Sequence, residues 1–112
     1  MQDLPIVLLM LASLAGPTAL AAEAKIDITS PANDARLDAR AQNKIVYDVT
    51  LNGKGDHVHV YVDGKQTALL RQMKGNHNLD PLTPGKHEIC VKIVDKNHTP
   101  IGVERCVKVV AE

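Results

Sequence analysis

Five histidines in a chain of 112 residues are the side chains here best equipped for chemistry. His57 and His59 stand two apart in Gly55-Asp56-His57-Val58-His59-Val60-Tyr61-Val62. Alternate residues of an extended strand point to one face. Both imidazoles therefore share a face with Tyr61 and Asp63, while Val58, Val60 and Val62 take the other. The valines are the natural core face, so the spacing predicts two imidazoles pointing outward together, set to share one metal ion. Imidazole is the commonest metal-ligating side chain and suits zinc, copper and nickel. A thioether such as that of Met73 would tilt the choice toward copper, above all Cu(I).

The elements that must hold these groups read as all-β. Val, Ile and Leu alternate with polar residues in short runs, and turn residues recur every 8 to 12 positions or so. Seven strands are predicted, over 25–29, 45–51, 57–62, 66–71, 77–79, 87–95 and 102–110. Asp63-Gly64 is a two-residue hairpin turn, and Lys74-Gly75-Asn76 reads as another turn. Residues 32–43 are polar, with Leu37 as their one buried anchor. The pattern predicts a seven-stranded immunoglobulin/fibronectin-III-like sandwich, one domain over 23–112.

Strand direction in such a sandwich brings the start of the third strand, the start of the fifth and the last hairpin loop to one end. His57, Met73, His77 and His98 are therefore expected as neighbours, with His59 one step down the sheet. His87 opens the sixth strand at the opposite end, where the expected role is structural, as a corner cap hydrogen-bonded to backbone. Plainer readings stand beside these. His57, His59, His77 and His98 serve equally as solvated surface residues, and Met73 as a core filler.

The last hairpin can be registered by arithmetic, because opposed residues of an antiparallel pair have a constant number sum. A sum of 196 sets Cys90 against Cys106, Glu88 against Lys108 and Lys92 against Glu104. A disulfide and two opposite-charge pairs then share one face, with Ile89, Val91 and Ile93 against Val107, Arg105 and Val103 on the other. These are the only two cysteines, and their pairing requires an oxidising compartment.

The first 22 residues supply that address. Leu4 to Ala15 is apolar apart from Pro5 and Ser13, and Ala19-Leu20-Ala21-Ala22 offers a small-residue cleavage site. This reads as a secretory signal peptide over 1–22, although its start carries Asp3 and no Lys or Arg. The apolar run falls short of the roughly 20 residues of a spanning helix, so no membrane span is expected in the mature protein. The expected location is the periplasm or the extracellular space.

Composition narrows the function further. Lys+Arg and Asp+Glu number 13 each, giving no net charge, so nothing favours a nucleic-acid partner held by phosphate neutralisation. Trp and Phe are absent, and Tyr47 and Tyr61 are the only aromatics, which removes base-stacking platforms. There is no P-loop, dinucleotide glycine fingerprint, C-x-x-C or G-x-S-x-G, so no enzyme is expected.

Three stretches carry a resemblance: Gly55-Asp56-His57-Val58-His59-Val60-Tyr61-Val62-Asp63-Gly64, Leu82-Thr83-Pro84-Gly85-Lys86-His87 and Asp95-Lys96-Asn97-His98-Thr99-Pro100. Together they resemble small secreted bacterial Ig-like domain proteins of uncharacterised function with H-x-H, P-G-x-H and N-H-x-P motifs. The resemblance implies a periplasmic Ig-like domain with recurrent histidines and no established reaction. Its members often carry further histidines after the H-x-H strand, and Met73 and His77 are the candidates here. The H-V-H stretch is also similar to a copper-binding strand of Cu/Zn superoxide dismutases, whose remaining ligands have no matching positions. Two functions follow as expectations. One is a periplasmic or secreted copper carrier or buffer, with zinc as the alternative ion. The other is a metal-free interaction or structural module with a cell-envelope protein partner.

Overall fold

The computed structural model describes residues 23–112; the expected signal peptide lies outside the described residues. Eight strands follow in order: β1 Lys25–Ser30, β2 Ala35–Leu37, β3 Lys44–Thr50, β4 His57–Val62, β5 Lys65–Leu70, β6 Lys74–Asn78, β7 Gly85–Val94 and β8 Pro100–Ala111. They form two sheets, a three-stranded β1-β3-β6 and a five-stranded β2-β8-β7-β4-β5. The expected all-β sandwich is present, with one strand more than the sequence pattern counted. That strand, β2, is three residues long and pairs parallel with Val109–Ala111 of β8. Among the described residues, no helix is long and apolar enough to cross a membrane.

The core lies between the sheets. Ile26, Ile45, Tyr47 and Val49 come from the smaller sheet, and Val58, Val60, Ile89, Val91, Ile93, Val107 and Val109 from the larger one. Ile45, Val58, Val60, Ile89, Val91 and Ile93 are fully buried. Each such aliphatic side chain contributes on the order of 1.5–3 kcal/mol of burial. Alternation along each strand puts one face in this layer and the other outside, which explains why period-2 patterning predicted the strands so well.

The β7–β8 register is the predicted one over most of its length. Cys90 faces Cys106, Glu88 faces Lys108 and Lys92 faces Glu104. Cys90 and Cys106 form a disulfide, and Lys92 and Glu104 pair at 3.7 Å. Arg105, opposite the buried Val91, is exposed. The pairing of β2 with β8 covers only Val109–Ala111, so Arg105 sits on a rim of the sheet with water within reach.

The register breaks after Lys92, and Val94 then faces Pro100. The expected pairing of Ile93 with Val103 is therefore absent. Between these pairs β7 advances two residues and β8 four, and extra residues in one strand bend it and re-aim its end. Here the bend turns the tip of the hairpin, residues 95–99, over the outer face of the larger sheet.

The expected turn at 74–76 is also corrected. Lys74, Gly75 and Asn76 belong to β6, with Gly75 directly opposite Tyr47. The chain crosses between sheets earlier, over residues 71–73, where the Tyr47 hydroxyl donates to the Gln72 carbonyl and the Val49 amide to the Met73 carbonyl.

Candidate metal centre

β4 builds the site because its two faces do different things. Val58 and Val60 point into the core. His57 and His59 take the opposite face, where His59 stands between Lys92 of β7 and Leu69 of β5. Strand alternation points both imidazoles outward on that face, as metal ligands or as solvated side chains. They are buried, at 0% and 3% exposure. The bent hairpin tip covers them, with the His98 ring centred 4.8 Å from that of His57 and 5.3 Å from that of His59.

The tip holds His98 in place through Asp95. The Asp95 carboxylate accepts from the amides of Asn97 and Thr99, at 2.8 and 2.9 Å. The Asp95 amide donates to the Thr99 carbonyl, and the His98 amide to the Asp95 carbonyl. This clamp fixes His98 at φ 65°. A left-handed non-glycine residue costs on the order of 1–3 kcal/mol and is found where the surroundings over-determine it. The conformation aims an imidazole inward from an otherwise exposed turn.

Three ring nitrogens converge. His57 Nε2 lies 3.1 Å from His59 Nε2 and 3.1 Å from His98 Nδ1, and the third edge is 3.2 Å. Hydrogen bonds alone cannot satisfy this triangle. Each nitrogen is either a donor or an acceptor, so with three members at least one pair is always donor against donor or acceptor against acceptor. A cation at the centre would meet three lone pairs and remove that conflict.

At His57 a carboxylate draws the proton away from the triangle. His57 Nδ1 donates to the Asp56 carboxylate at 2.9 Å, which leaves Nε2 free to ligate. A carboxylate behind a histidine is the usual way to fix the tautomer of a metal ligand. Arg71 holds the same carboxylate oxygen from the other side, at 3.3 Å. The hydrogen bond from His57 foremost, and then the charges of His57 and Arg71, hold the Asp56 carboxyl below its ordinary range, against an upward push from burial. Burial, and after it the charges of His57 and His98, lowers the pKa of His59, which keeps its imidazole neutral and able to ligate at pH 7. His59 Nδ1 is buried without a hydrogen-bond partner. Such an orphan costs on the order of 1–3 kcal/mol, so His59 is placed for the triangle rather than for its own satisfaction.

Gly55 allows the loop before β4 to sit this close. A Cβ there would lie 2.9 Å from Ile93 Cγ2, a fully buried core side chain. The loop is tied to β7 by the Asp56 amide, which donates to the Val94 carbonyl.

His57, His59 and His98 are thus brought together, with ligand atoms within 4.8 Å of one another. His77 and Met73 are elsewhere. His77 stands opposite Ile45 in the smaller sheet, sharing the face that Ile45 turns to the core. It was expected at the start of a strand, but the strand begins at Lys74 and carries His77 along into the sheet. Met73 packs against the hydrophobic core. Sequence reasoning did not single out Asp56, Asp95 or Arg71 as supports. The Asp-His and Asp-x-x-His spacings were the available signals.

His87 lies apart from the triad. Its Nε2 donates to the Thr83 carbonyl and its Nδ1 to the Asp63 carboxylate, both at 2.6 Å. The Asp63 hydrogen bond first, then the Thr83 carbonyl, raises the His87 pKa above its ordinary 6.5. The hydrogen bond from His87, seconded by the Glu88 amide, lowers that of Asp63. His87 joins the loop before β7 to the Asp63-Gly64 turn, as a corner cap would.

Comparison with known proteins bears on the frame rather than the triad. The chain is similar to the fibronectin(III)-like modules of Clostridium thermocellum CbhA, with a TM-score of 0.65 and 22% identity over 78% of this chain and 96% of that one. The fold is a fibronectin III-like sandwich. An engineered protein matches with a TM-score of 0.56 and 18% identity, over 80% of this chain and 20% of its own. The extracellular domain of a B. thetaiotaomicron protein matches with a TM-score of 0.50 and 9% identity, over 79% of this chain and 15% of its own. No protein-family model matches the chain, and no curated protein matches it.

Proposed function

We propose that this fibronectin III-like domain is a secreted or periplasmic metal-binding protein that carries or buffers copper, as Cu(I), or zinc. His57, His59 and His98 would be its ligands. The observation that carries the reading is the near-equilateral triangle of ring nitrogens, two of its three imidazoles buried and one backed by the Asp56 carboxylate.

The triangle also speaks to which ion. With metal–nitrogen bonds of about 2.0–2.1 Å, edges of this length place an ion about 1 Å out of the ligand plane, with angles near 100°. Those angles approach tetrahedral, which suits a d10 ion. A square-planar Cu(II) site would require one edge of about 4 Å, because two of any three ligands are then trans. With Met73 packed on the core, its thioether does not favour Cu(I) over Zn(II). The disulfide supports a compartment outside the reducing cytoplasm.

The test is a competition titration of untagged protein with Zn(II), Cu(I) and Cu(II) against a chelator. One ion per chain, lost in His57→Ala/His59→Ala, is the expected result. Equal weak binding by both proteins would overturn the reading. It would favour the second one, a metal-free interaction module, for which the fibronectin III-like frame and the half-exposed Leu69 on edge strand β5 are the supporting observations.

A further inference from the structure

We infer that the triad leaves one coordination position open to solution, and that this position takes a small monodentate donor such as an anion or an imidazole. The inference rests on the metal-binding reading above and goes beyond it. Three donors that place an ion about 1 Å out of their own plane leave its far side uncovered. That side is filled by the protein, by a second chain or by solution.

Among the described residues, none is placed to fill it. Among the described residues, the cluster that includes His57 and His59 contains His98 and no fourth His, Cys, Asp or Glu donor. The nearest carboxylate, that of Asp56, is occupied behind His57 by Nδ1 and by Arg71. His77 belongs to β6 of the smaller sheet and shares the face of Ile45, toward the core. Met73 packs against that same core. The triad lies on the outer face of the larger sheet, so β4 and β7 stand between it and both of these side chains.

Solution borders the triad at His98. His57 and His59 are buried, but His98 is exposed, so the rim that it forms borders water. Sites in which three protein ligands leave a fourth place for an exchangeable ligand are the open kind, whereas structural sites with four protein ligands are closed. An open position gives an incoming donor a place to bind before any histidine leaves. This is the chemistry a carrier needs to hand its ion on.

The test uses Co(II), whose visible ligand-field bands report coordination, added to the untagged metal-free protein, followed by azide. Intense four-coordinate bands that shift saturably with azide, with a 1:1 end point, are expected. Met73→Leu and His77→Ala should give the same bands and the same azide response. Bands that azide does not move, or that either variant alters, would overturn the open position by showing that the protein fills it. Absence of bands, or bands that persist in His57→Ala/His59→Ala, would overturn the triad as the site and this inference with it.

Discussion

Removing the Asp56 carboxylate should weaken metal binding without moving the site. Asp56 accepts from His57 Nδ1 at 2.9 Å, and its side chain is only 25% exposed. That bond keeps the proton on Nδ1 and the lone pair on Nε2. In Asp56→Ala the proton can move to Nε2, where it competes directly with the ion. Loss of such an outer partner costs roughly 10- to 100-fold in affinity, equivalent to about 1.4–2.8 kcal/mol. The metal-free protein should also lose on the order of 1–3 kcal/mol, because His57 Nδ1 is left buried without a partner. For a domain of this size each kcal/mol lowers Tm by roughly 4–8 °C. Asp56→Asn should fall between wild type and Asp56→Ala, since its amide oxygen still accepts from Nδ1. Arg71→Ala should change affinity by a few-fold at most, because that guanidinium is 66% exposed and screened pairs contribute little. The assay is chelator competition for Zn(II) at fixed pH, alongside thermal unfolding of the metal-free form. An Asp56→Ala affinity within about twofold of wild type would refute the reasoning, whatever its Tm.

Three further outcomes follow from the same structure. Asp95→Ala releases the amides of Asn97 and Thr99 and frees His98 from φ 65°, so re-forming that turn on binding should cost about 1–3 kcal/mol, or roughly 5- to 150-fold in affinity by chelator competition, at unchanged stoichiometry. The His87–Asp63 pair should give a pH-dependent share of stability. Because the folded His87 pKa lies above 6.5, that share is full below pH 6.5 and is lost as pH rises through the folded value, and denaturant unfolding of metal-free wild type against His87→Gln should show the difference shrinking as pH rises above 6.5. Replacing both Cys90 and Cys106 with Ala opens a loop with a sequence separation of 16 and should lower stability by about 3 kcal/mol at most, read as an earlier urea midpoint with metal stoichiometry retained.

Much of the frame was legible because period-2 alternation and register are local properties. The β7–β8 pairing could be derived because one register satisfied a disulfide and two charge pairs at once, and the structure repeats it from Glu88 to Lys92. Strand β2 was not legible. Three residues pairing in parallel with a distant segment leave no periodic trace. Gly75-Asn76 reads as turn chemistry in isolation, but Gly75 is a strand residue opposite Tyr47. That one misplacement sent His77 to the wrong end. Alternation gave the face of His57 and His59 and could not give what covers it. Their burial depends on the bulge after Lys92 and on the Asp95 clamp, both of which act through the backbone of a different strand pair. His98 was placed near them by topology alone, and its inward aim depends on a left-handed φ that few non-glycine residues adopt.

The most direct test of the account is a crystal structure of the zinc-loaded protein with diffraction data recorded on both sides of the zinc absorption edge. One anomalous peak per chain is expected, about 2.0–2.1 Å from His57 Nε2, His59 Nε2 and His98 Nδ1, with a non-protein atom on its open side. An empty triad in a protein that holds zinc elsewhere, or a peak at the triad ligated by Met73 or His77, would contradict it.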